Sequence, residues 1–437
     1  MDSSLKEKQF PDVFDKEQPK WLYRRRQEAF QQYSDFSPPD RVSQLWRYTD
    51  PNKFLYIPDK NPLPFTTSSS VSIGERERHS VESGKVSAVV HNSRRGGVTF
   101  YLSPELQKSG VLINDLASAG KNHSSLVESR LGALVGSSFG KFEALNLALW
   151  NCGIFIYIPR GVIIEKPIVI QTISPKSGNF FTRMMIIVDE GASVPIIDVY
   201  SGGAHQSCSY YTNTVIETYT ASEAQFQYLI VQNMNTEARQ YITNRTQLES
   251  NAKANSGIAA LGGHITKGNC GTHLRGTGSE SELTGILLSD KRQHFDYYTV
   301  HSHEASNTVS TMKFKAALKD RSRSIYTGRI FIGRTAPNSE AYQENRNLLL
   351  SDACRVDSVP ELEINQDEVR CSHGSATGPP DENQLFYLKS RGIPEPEALQ
   401  LIVEGFMGDA IVRLPKIFQS IVQHYINKRF KGGWAVG

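Results

Sequence analysis

The sequence predicts a mainly β protein, built as a parallel β-helix with helical regions on both sides. Between about residues 150 and 378, short β-rich segments recur with no helix of useful length between them, which excludes a sheet with crossover helices. Small and polar residues also recur in similar contexts, as in GASV (191–194), SNAKA (250–254) and SEAY (339–342). Stacked coils place like positions above one another, so this repeat needs no strict period. On pattern alone, a β-sandwich or a barrel stays open.

The N-terminal region, residues 1–135, is predicted to be a helical and mixed domain. Residues 16–48 carry side chains near helical spacing, and Pro38-Pro39 ends this run. A Pro/Ser-rich stretch at 58–70 is typical of a linker. The residues that show the helical spacing are Trp21, Leu22, Arg25, Ala29 and Tyr33.

Residues 136–380 form the predicted β-helix core. Its segments are broken by Gly, Asn, Ser and Asp, which favour turns. The strand-like segments are 153–159, 167–173, 184–199, 214–220, 225–232, 285–288, 330–333 and 361–364.

The C-terminal region, residues 381–437, is predicted to hold three short amphipathic helices. Asp381 and Gln384 have the spacing of a capping box, and Gly392 is expected to end the first helix. The second opens at Pro394 and Pro396, and the third covers 415–428. Such helices could dock a partner or simply cap the end of the solenoid. The apolar face of the second helix carries Leu399, Ile402, Val403, Phe406, Ala410 and Leu414.

Composition narrows the function classes. A net charge of +3 on 437 residues does not favour nucleic acid or a membrane surface as partner. Apolar runs such as 154–159 are far shorter than the ~20 residues of a membrane span. Five cysteines without a C-x-x-C pair indicate a reducing compartment, the cytoplasm or, for a mature plant protein, the plastid stroma. The N-terminus also lacks the pattern of a secretory signal.

The sequence contains only incomplete versions of the glycine motifs for nucleotide binding. The two glycines of GSSFGKF (136–142) are one residue too close for a P-loop, and GTGSES (276–281) lacks the third glycine of a dinucleotide site. A β-helix carbohydrate-active enzyme is an alternative, since such enzymes use clustered carboxylates. The spacing of the acidic residues in this chain equally fits a strand face that is exposed to solvent. The candidates for that role are Asp352, Asp357, Glu361 and Glu363.

Thiol and imidazole groups are concentrated late in the chain. Within strands, His301-x-His303 and Cys371-x-His373 would each place two side chains on one face. Thiolate beside imidazole suits iron–sulfur clusters, zinc or copper. The alternative is that these residues are ordinary polar surface or hydrogen-bonded interior histidines. The six histidines of this region are His264, His273, His294, His301, His303 and His373.

Several segments of the chain carry a specific family pattern. Four of them are NRNLLLS (345–351), PELEI (360–364), VRCSHG (369–374) and DENQLFYLKSRGI (381–393). In this order and spacing they resemble the SufB/SufD family of the Suf iron–sulfur cluster assembly machinery, on its SufD side. Residues 313–332 and LWRYTDP (45–51) resemble further segments of that family. The resemblance runs from about residue 20 to residue 430.

The resemblance implies a right-handed parallel β-helix between N- and C-terminal helical domains. It also implies a non-catalytic scaffold subunit that works with the paralogue SufB and two copies of the ATPase SufC. In the family the C-terminal helical region docks the ATPase, here around residues 381–415. ATP would then be hydrolysed by the partner, which agrees with the missing nucleotide motif. The implied contact residues are Leu399, Ile402, Val403 and Phe406.

The resemblance also points to site residues. His373 matches the residue placed at the interface where the nascent cluster forms, with Cys371 as a weaker candidate and Cys354 as the weakest. His373 and Cys371 are the tentative metal ligands. The cysteine with which SufB builds the cluster falls at Asn345 here, so that thiol is absent. We expect no stable cluster on this chain alone and a transient one in the complex. Whether the isolated chain forms a homodimer or only the heterocomplex with SufB stays open. A purely structural adaptor stays an alternative.

Overall fold

Parallel strands wind most of the chain into a β-helix. The computed structural model describes residues 18–56, 73–93, 97–173, 178–202 and 209–434. The linker predicted at 58–70 and Cys208 lie outside these ranges. The strands are β1 (Ala88–Ser93), β2 (Gly97–Leu102), β3 (Leu112–Asp115), β4 (Cys152–Ile158), β5 (Ile168–Ile173), β6 (Gly178–Val188), β7 (Ser193–Ser201), β8 (Tyr210–Thr220), β9 (Gln225–Asn233), β10 (Ala238–Leu248), β11 (Lys253–Ala260), β12 (Ile265–Leu274), β13 (Glu280–Ser289), β14 (His294–His303), β15 (Val309–Leu318), β16 (Arg323–Ile332), β17 (Ser339–Leu349), β18 (Arg355–Ile364) and β19 (Val369–Gly378).

From β4 onward, consecutive strands belong to opposite sheets. Over the described ranges, sheet A has the order β19-β17-β15-β13-β11-β9-β7-β5-β1-β2, and sheet B the order β18-β16-β14-β12-β10-β8-β6-β4-β3. Each strand of the coils pairs in parallel with the strand two places along the chain, for example β15 with β17 and β17 with β19. The antiparallel pairs β1/β2 and β3/β4 close the first end. The predicted parallel β-helix is confirmed.

Helices precede and follow the solenoid, as predicted. They are α1 (Lys20–Asp35), α2 (Glu75–Glu82), α3 (Pro104–Lys108), α4 (Leu116–Asn122), α5 (Ser124–Val127), α6 (Lys141–Leu149), α7 (Glu382–Ser390), α8 (Glu395–Ile411) and α9 (Lys416–Arg429), with 3₁₀ turns at Gln44–Trp46 and Pro51–Phe54 and a π turn at Phe430–Trp434. β1–β3 lie before residue 136 and yet belong to the two sheets. Where one domain ends and the next begins stays a prediction.

Strand alternation divides the side chains into an interior set and an exterior set. On β7, Ile196 packs in the interior core with Ile216 of sheet B, whereas its neighbour Ile197 faces outward. Outward residues of sheet A pack against α8 and α9. Val403 of α8 and Phe418 of α9 are among the helix residues that contact them. Outward residues of sheet B pack against α1 and α6. Helices therefore bury parts of the two outer faces that a bare solenoid would expose.

One corner of the coil repeats along the solenoid and explains the recurring small residues. A residue in the left-handed region stands there in each coil, for example Glu223 (φ 62°), Asn251 (φ 55°) and Asn307 (φ 56°). Its N–H donates to a carbonyl of the next coil, as from Asn307 to the oxygen of Pro337 at 2.9 Å. A small buried residue follows it, and these residues stack: Ala192, Ala224, Ala252, Ser279, Thr308 and Ser339.

The same corner corrects one predicted segment. Residues 184–199 were expected as one strand-like run, but Gly191 (φ 63°) turns the chain there and separates β6 from β7. The C-terminal helix signals hold: Asp381 Oδ1 accepts from the N–H groups of Asn383 and Gln384 at 2.8 and 3.2 Å. The first helix ends just before Gly392, which has a φ of 84°.

The corner turn predicts the effect of a β-branched residue. Asn307→Val should lower the melting temperature, because a left-handed backbone costs an ordinary L-residue about 1–2 kcal/mol and a β-branched one is worse still. Asn307→Gly is the control, since glycine adopts this φ without strain. Thermal unfolding followed by circular dichroism measures both. Equal melting temperatures for the two variants would contradict the role of the turn.

Candidate functional site

The last coil of the solenoid is its open end. β18 and β19 are the outermost strands of sheets B and A in the described part of the chain. Most of their residues are exposed or half-buried, whereas those of preceding coils alternate with buried ones. Leu362 and Ile364, on the face of β18 that continues the interior columns, are 38% and 43% exposed. An unpaired edge with apolar side chains is a surface suited to pairing with another chain.

Cys371, His373 and Ser375 share one face of β19. Cys371 pairs with Ala341 in the ladder and packs on the interior core, and Ser375 donates to Ser358 Oγ on β18 at 2.9 Å. Both contacts show that this face continues the interior of the solenoid. The predicted co-facial arrangement of Cys371 and His373 is therefore present. His373 is exposed because the coil that would cover it is missing at this end.

The two cysteine candidates differ in access. Cys371 is half-buried, and burial raises the pKa of its thiol against a backbone hydrogen bond from Ala341. Cys354 is buried in the turn before β18, with its Sγ 2.8 Å from the oxygen of Ser351. Cys371 instead lies on β19. The two cysteines are therefore separated along the chain by the whole of β18. Among the described residues, no group of three or more His, Cys, Asp or Glu side chains could hold a metal ion.

His301 and His303 also share a face, but theirs is the sealed interior. His303 contacts Thr308 Oγ1 at 2.7 Å and Ser310 Oγ at 2.8 Å, and His301 contacts Ser281 Oγ at 3.3 Å. Burial lowers the pKa of His301 to about 3 and that of His303 to about 4. These rings are neutral core residues, as the second of the two interpretations of the sequence proposed.

A second buried histidine network fixes the N-terminal segment LWRYTDP (45–51). Thr49 Oγ1 contacts His294 Nε2 at 2.8 Å and donates to Asp296, which also accepts from Lys267 at 2.8 Å. Trp46 stacks on Tyr241 of sheet B, with ring centroids 5.5 Å apart. This segment therefore anchors the N-terminal region on the outer face of sheet B. The polar partners come from strands some 250 residues away in sequence, so only the resemblance pointed to the segment.

The carboxylates proposed for a β-helix carbohydrate-active enzyme do not converge on one site. Asp357 pairs with Arg323 at 2.7 Å, and Glu363 pairs with Arg329. Glu361 is half-buried, and desolvation raises the pKa of its carboxyl. These strand residues alternate with the interior-facing positions of β18, so they face outward and form no acid/base pair across a groove. Asp352 lies apart from them, in the turn before β18.

The lysine of the near-P-loop serves the fold. Lys141 Nζ donates to the carbonyls of Tyr33 and Phe36 at 2.8 and 2.7 Å, which fastens the end of α1 to α6. Since its ammonium is buried against these oxygens, Lys141 does not point to a phosphate site.

An apolar groove lies between α7 and α8 and has a volume of about 930 Å³. Ile402 and Phe406, two of the predicted contact residues, line it together with Tyr387. Leu399 is half-buried, and Val403 lies beneath the groove, fully buried against sheet A. The sequence did not single out Phe386 and Tyr387, which are 74% and 56% exposed. Their exposure could not be read from helical spacing alone.

Buried histidines predict that acid destabilises the fold. Unfolded histidine has a pKa of about 6.5, so between that pH and about 4 the unfolded chain binds protons that the folded chain excludes. Stability is therefore lost as the pH falls through this window. Asp198 acts oppositely, because burial raises its pKa to about 6 and the folded chain takes up that proton first.

The variant His301→Gln/His303→Gln should lose less stability than the wild type between about pH 7 and about pH 5. Urea unfolding midpoints at the two pH values measure the loss. His424→Gln is the control, because His424 is exposed on α9. An unchanged loss in the double variant would contradict the assignment of these rings as neutral core residues.

Comparison with known proteins gives matches along nearly the whole chain. A family model described as "SUF system FeS cluster assembly, SufBD core domain" matches residues 171–406, and one described as "SufBD protein N-terminal region" matches residues 7–170. The chain is 27% identical over 426 residues to an iron–sulfur cluster assembly SufBD family protein of Staphylococcus saprophyticus, covering 95% of this chain and 91% of that protein. It is 29% identical over 332 residues to one of Staphylococcus epidermidis, covering 76% and 71%. No helix in the described residues is long and apolar enough to cross a membrane.

Proposed function

The chain belongs to the SufBD family of iron–sulfur cluster assembly proteins, and from that premise we propose that it is the SufD-type, non-catalytic half of a two-subunit scaffold. The nascent cluster is its cargo, and SufB supplies the other half of the site. The observation that carries the proposal is the position of His373 and Cys371 together on β19, at the open end of the solenoid.

The chemistry of the open end fits a shared site. One exposed imidazole and one half-buried thiol are suitable iron ligands, and the ligands that complete a cluster site would come from the facing subunit. Asn345 supports the division of roles, because an amide stands where SufB has its cluster-building cysteine. Asn345 is buried on β17 and donates to the oxygen of Phe314 at 3.3 Å.

The α7–α8 groove supports docking of the ATPase SufC. An apolar groove lined by the exposed side chains of Tyr387 and Leu401 offers the kind of surface that buried aromatic anchors of an interface use. Without SufB, the open end is available to a second copy of the chain, which would form the homodimer that the sequence left open. We expect the complex to work in the cytoplasm, or in the plastid stroma of a plant.

The site proposal predicts the behaviour of His373→Ala. Anaerobic reconstitution with iron and sulfide is done on the chain alone and on its complex with SufB and SufC, with visible absorbance and labile iron as readouts. We expect a cluster in the complex and not on the chain alone, and its loss in His373→Ala, because an iron ligand is removed. His424→Ala, also an exposed histidine, should behave as the wild type. A stable cluster on the chain alone, or an undiminished cluster in His373→Ala, would refute the shared site.

The docking proposal predicts that a charge in the groove abolishes ATPase binding. Tyr387→Asp, which lies in the lining of the groove, should reduce co-purification of SufC and raise the Kd about tenfold or more, because a carboxylate would be desolvated at the contact. The melting temperature should stay nearly unchanged, since Tyr387 is 56% exposed. Val412→Asp, at a 67% exposed position just past the end of α8, is the matched control. Equal binding by both variants would place the ATPase elsewhere.

A further inference from the structure

Gln343 lies directly beneath His373. The parallel ladder of β17 and β19 pairs these two residues, and paired strands lie about 4.8 Å apart. Gln343 faces the interior, because its neighbours on the same face, Ala341 and Asn345, are buried there as well. His373 faces the same way on the next strand. The carboxamide and the imidazole are therefore successive members of one interior column.

The carboxamide of Gln343 is buried, and its oxygen accepts no hydrogen bond from any described residue. Gln343 is 1% exposed, and its Oε1 is buried without a hydrogen-bond partner among the described residues. A Cβ at Gly328 would lie 2.4 Å from the Nε2 of Gln343, so the glycine across the interior makes room for this amide. A buried acceptor left unpaired costs about 1–3 kcal/mol, which calls for a reason.

Of the two residues that flank Gln343 in its column, His373 is the one with a proton to donate. On the other side of Gln343 the ladder places Met312, whose sulfur accepts from Thr299 Oγ1 at 3.3 Å and carries no proton to donate. Across the interior, the Tyr326 hydroxyl donates to Met312 Sδ at 3.9 Å and accepts from Thr299 Oγ1 at 3.1 Å. A ring N–H of His373 could reach Oε1 from the open side. An imidazole that binds a metal through one nitrogen is usually oriented by an acceptor for the N–H of the other.

We infer that Gln343 is a positioning residue for the cluster site: its Oε1 accepts the N–H of one His373 ring nitrogen and thereby turns the other nitrogen toward the iron at the interface. This rests on the proposed function. The hydrogen bond fixes both the tautomer and the ring orientation of an otherwise exposed side chain. Losing such a partner typically costs about 10–100-fold in metal affinity.

The test uses the reconstituted complex with SufB and SufC. Gln343→Met removes the acceptor oxygen at similar side-chain volume, whereas Gln343→Glu keeps an acceptor oxygen at this position. Asn347→Leu changes another buried amide on the same face of β17, one that contacts Thr377 of β19 at 3.1 Å and not His373. The readouts are the rate at which a chelator removes iron and the nitrogen coupling of the reduced cluster in pulsed electron paramagnetic resonance.

We expect Gln343→Met to lose iron about tenfold faster with an altered nitrogen coupling, and Gln343→Glu and Asn347→Leu to resemble the wild type. Wild-type iron retention in Gln343→Met, with loss in His373→Ala, would overturn this inference and leave the proposed function standing. Full retention in His373→Ala would overturn both.

Discussion

Each coil of this protein satisfies its backbone hydrogen bonds only through the coil beside it. In the interior of the stack, every strand has a parallel neighbour on both sides, for example β15 between β13 and β17. A stack of finite length therefore has two ends at which a strand lacks a parallel neighbour on one side. The first is closed by the antiparallel pairs β1/β2 and β3/β4, and the second, β18 with β19, is left open. The functional proposal follows from that asymmetry.

Position along the stack decides what a polar interior residue becomes. His303 and His373 both point into the solenoid from their strands. His303 has further coils on both sides, so it is dry, hydrogen-bonded and neutral, with a pKa lowered to about 4. His373 has a coil on one side only, and its ring is exposed. The same residue type is a core element in one place and an available ligand in the other.

Sequence reasoning predicted the elements that local chemistry specifies. The recurring small residues favoured stacked coils over a sandwich or a barrel, and the structure gives the reason: the left-handed corner residue is followed by a side chain small enough to stack. Facing pairs such as Cys371 and His373 followed from strand alternation. How deeply each of these pairs is buried could not be predicted from strand alternation. Whether a facing pair lies inside or at the end depends on how many coils come after it, and whether Val403 lines a groove or a core depends on where α8 packs. Both are properties of the assembled fold.

The groove and the open end are mechanically joined. Lys315 of β15 donates to the oxygen of Phe406 and to Asp409 of α8, both at 2.9 Å, so the helix that lines the groove is tied to sheet A. From β15 the parallel ladders lead to β17 and then to β19, which carries His373. Hydrogen-bonded, close-packed strands transmit displacement with little distortion. If the proposed function holds, an ATPase docked in the groove would act on His373 by moving the whole end of the solenoid against the proposed partner, and the interface between the two subunits would be the element that changes state.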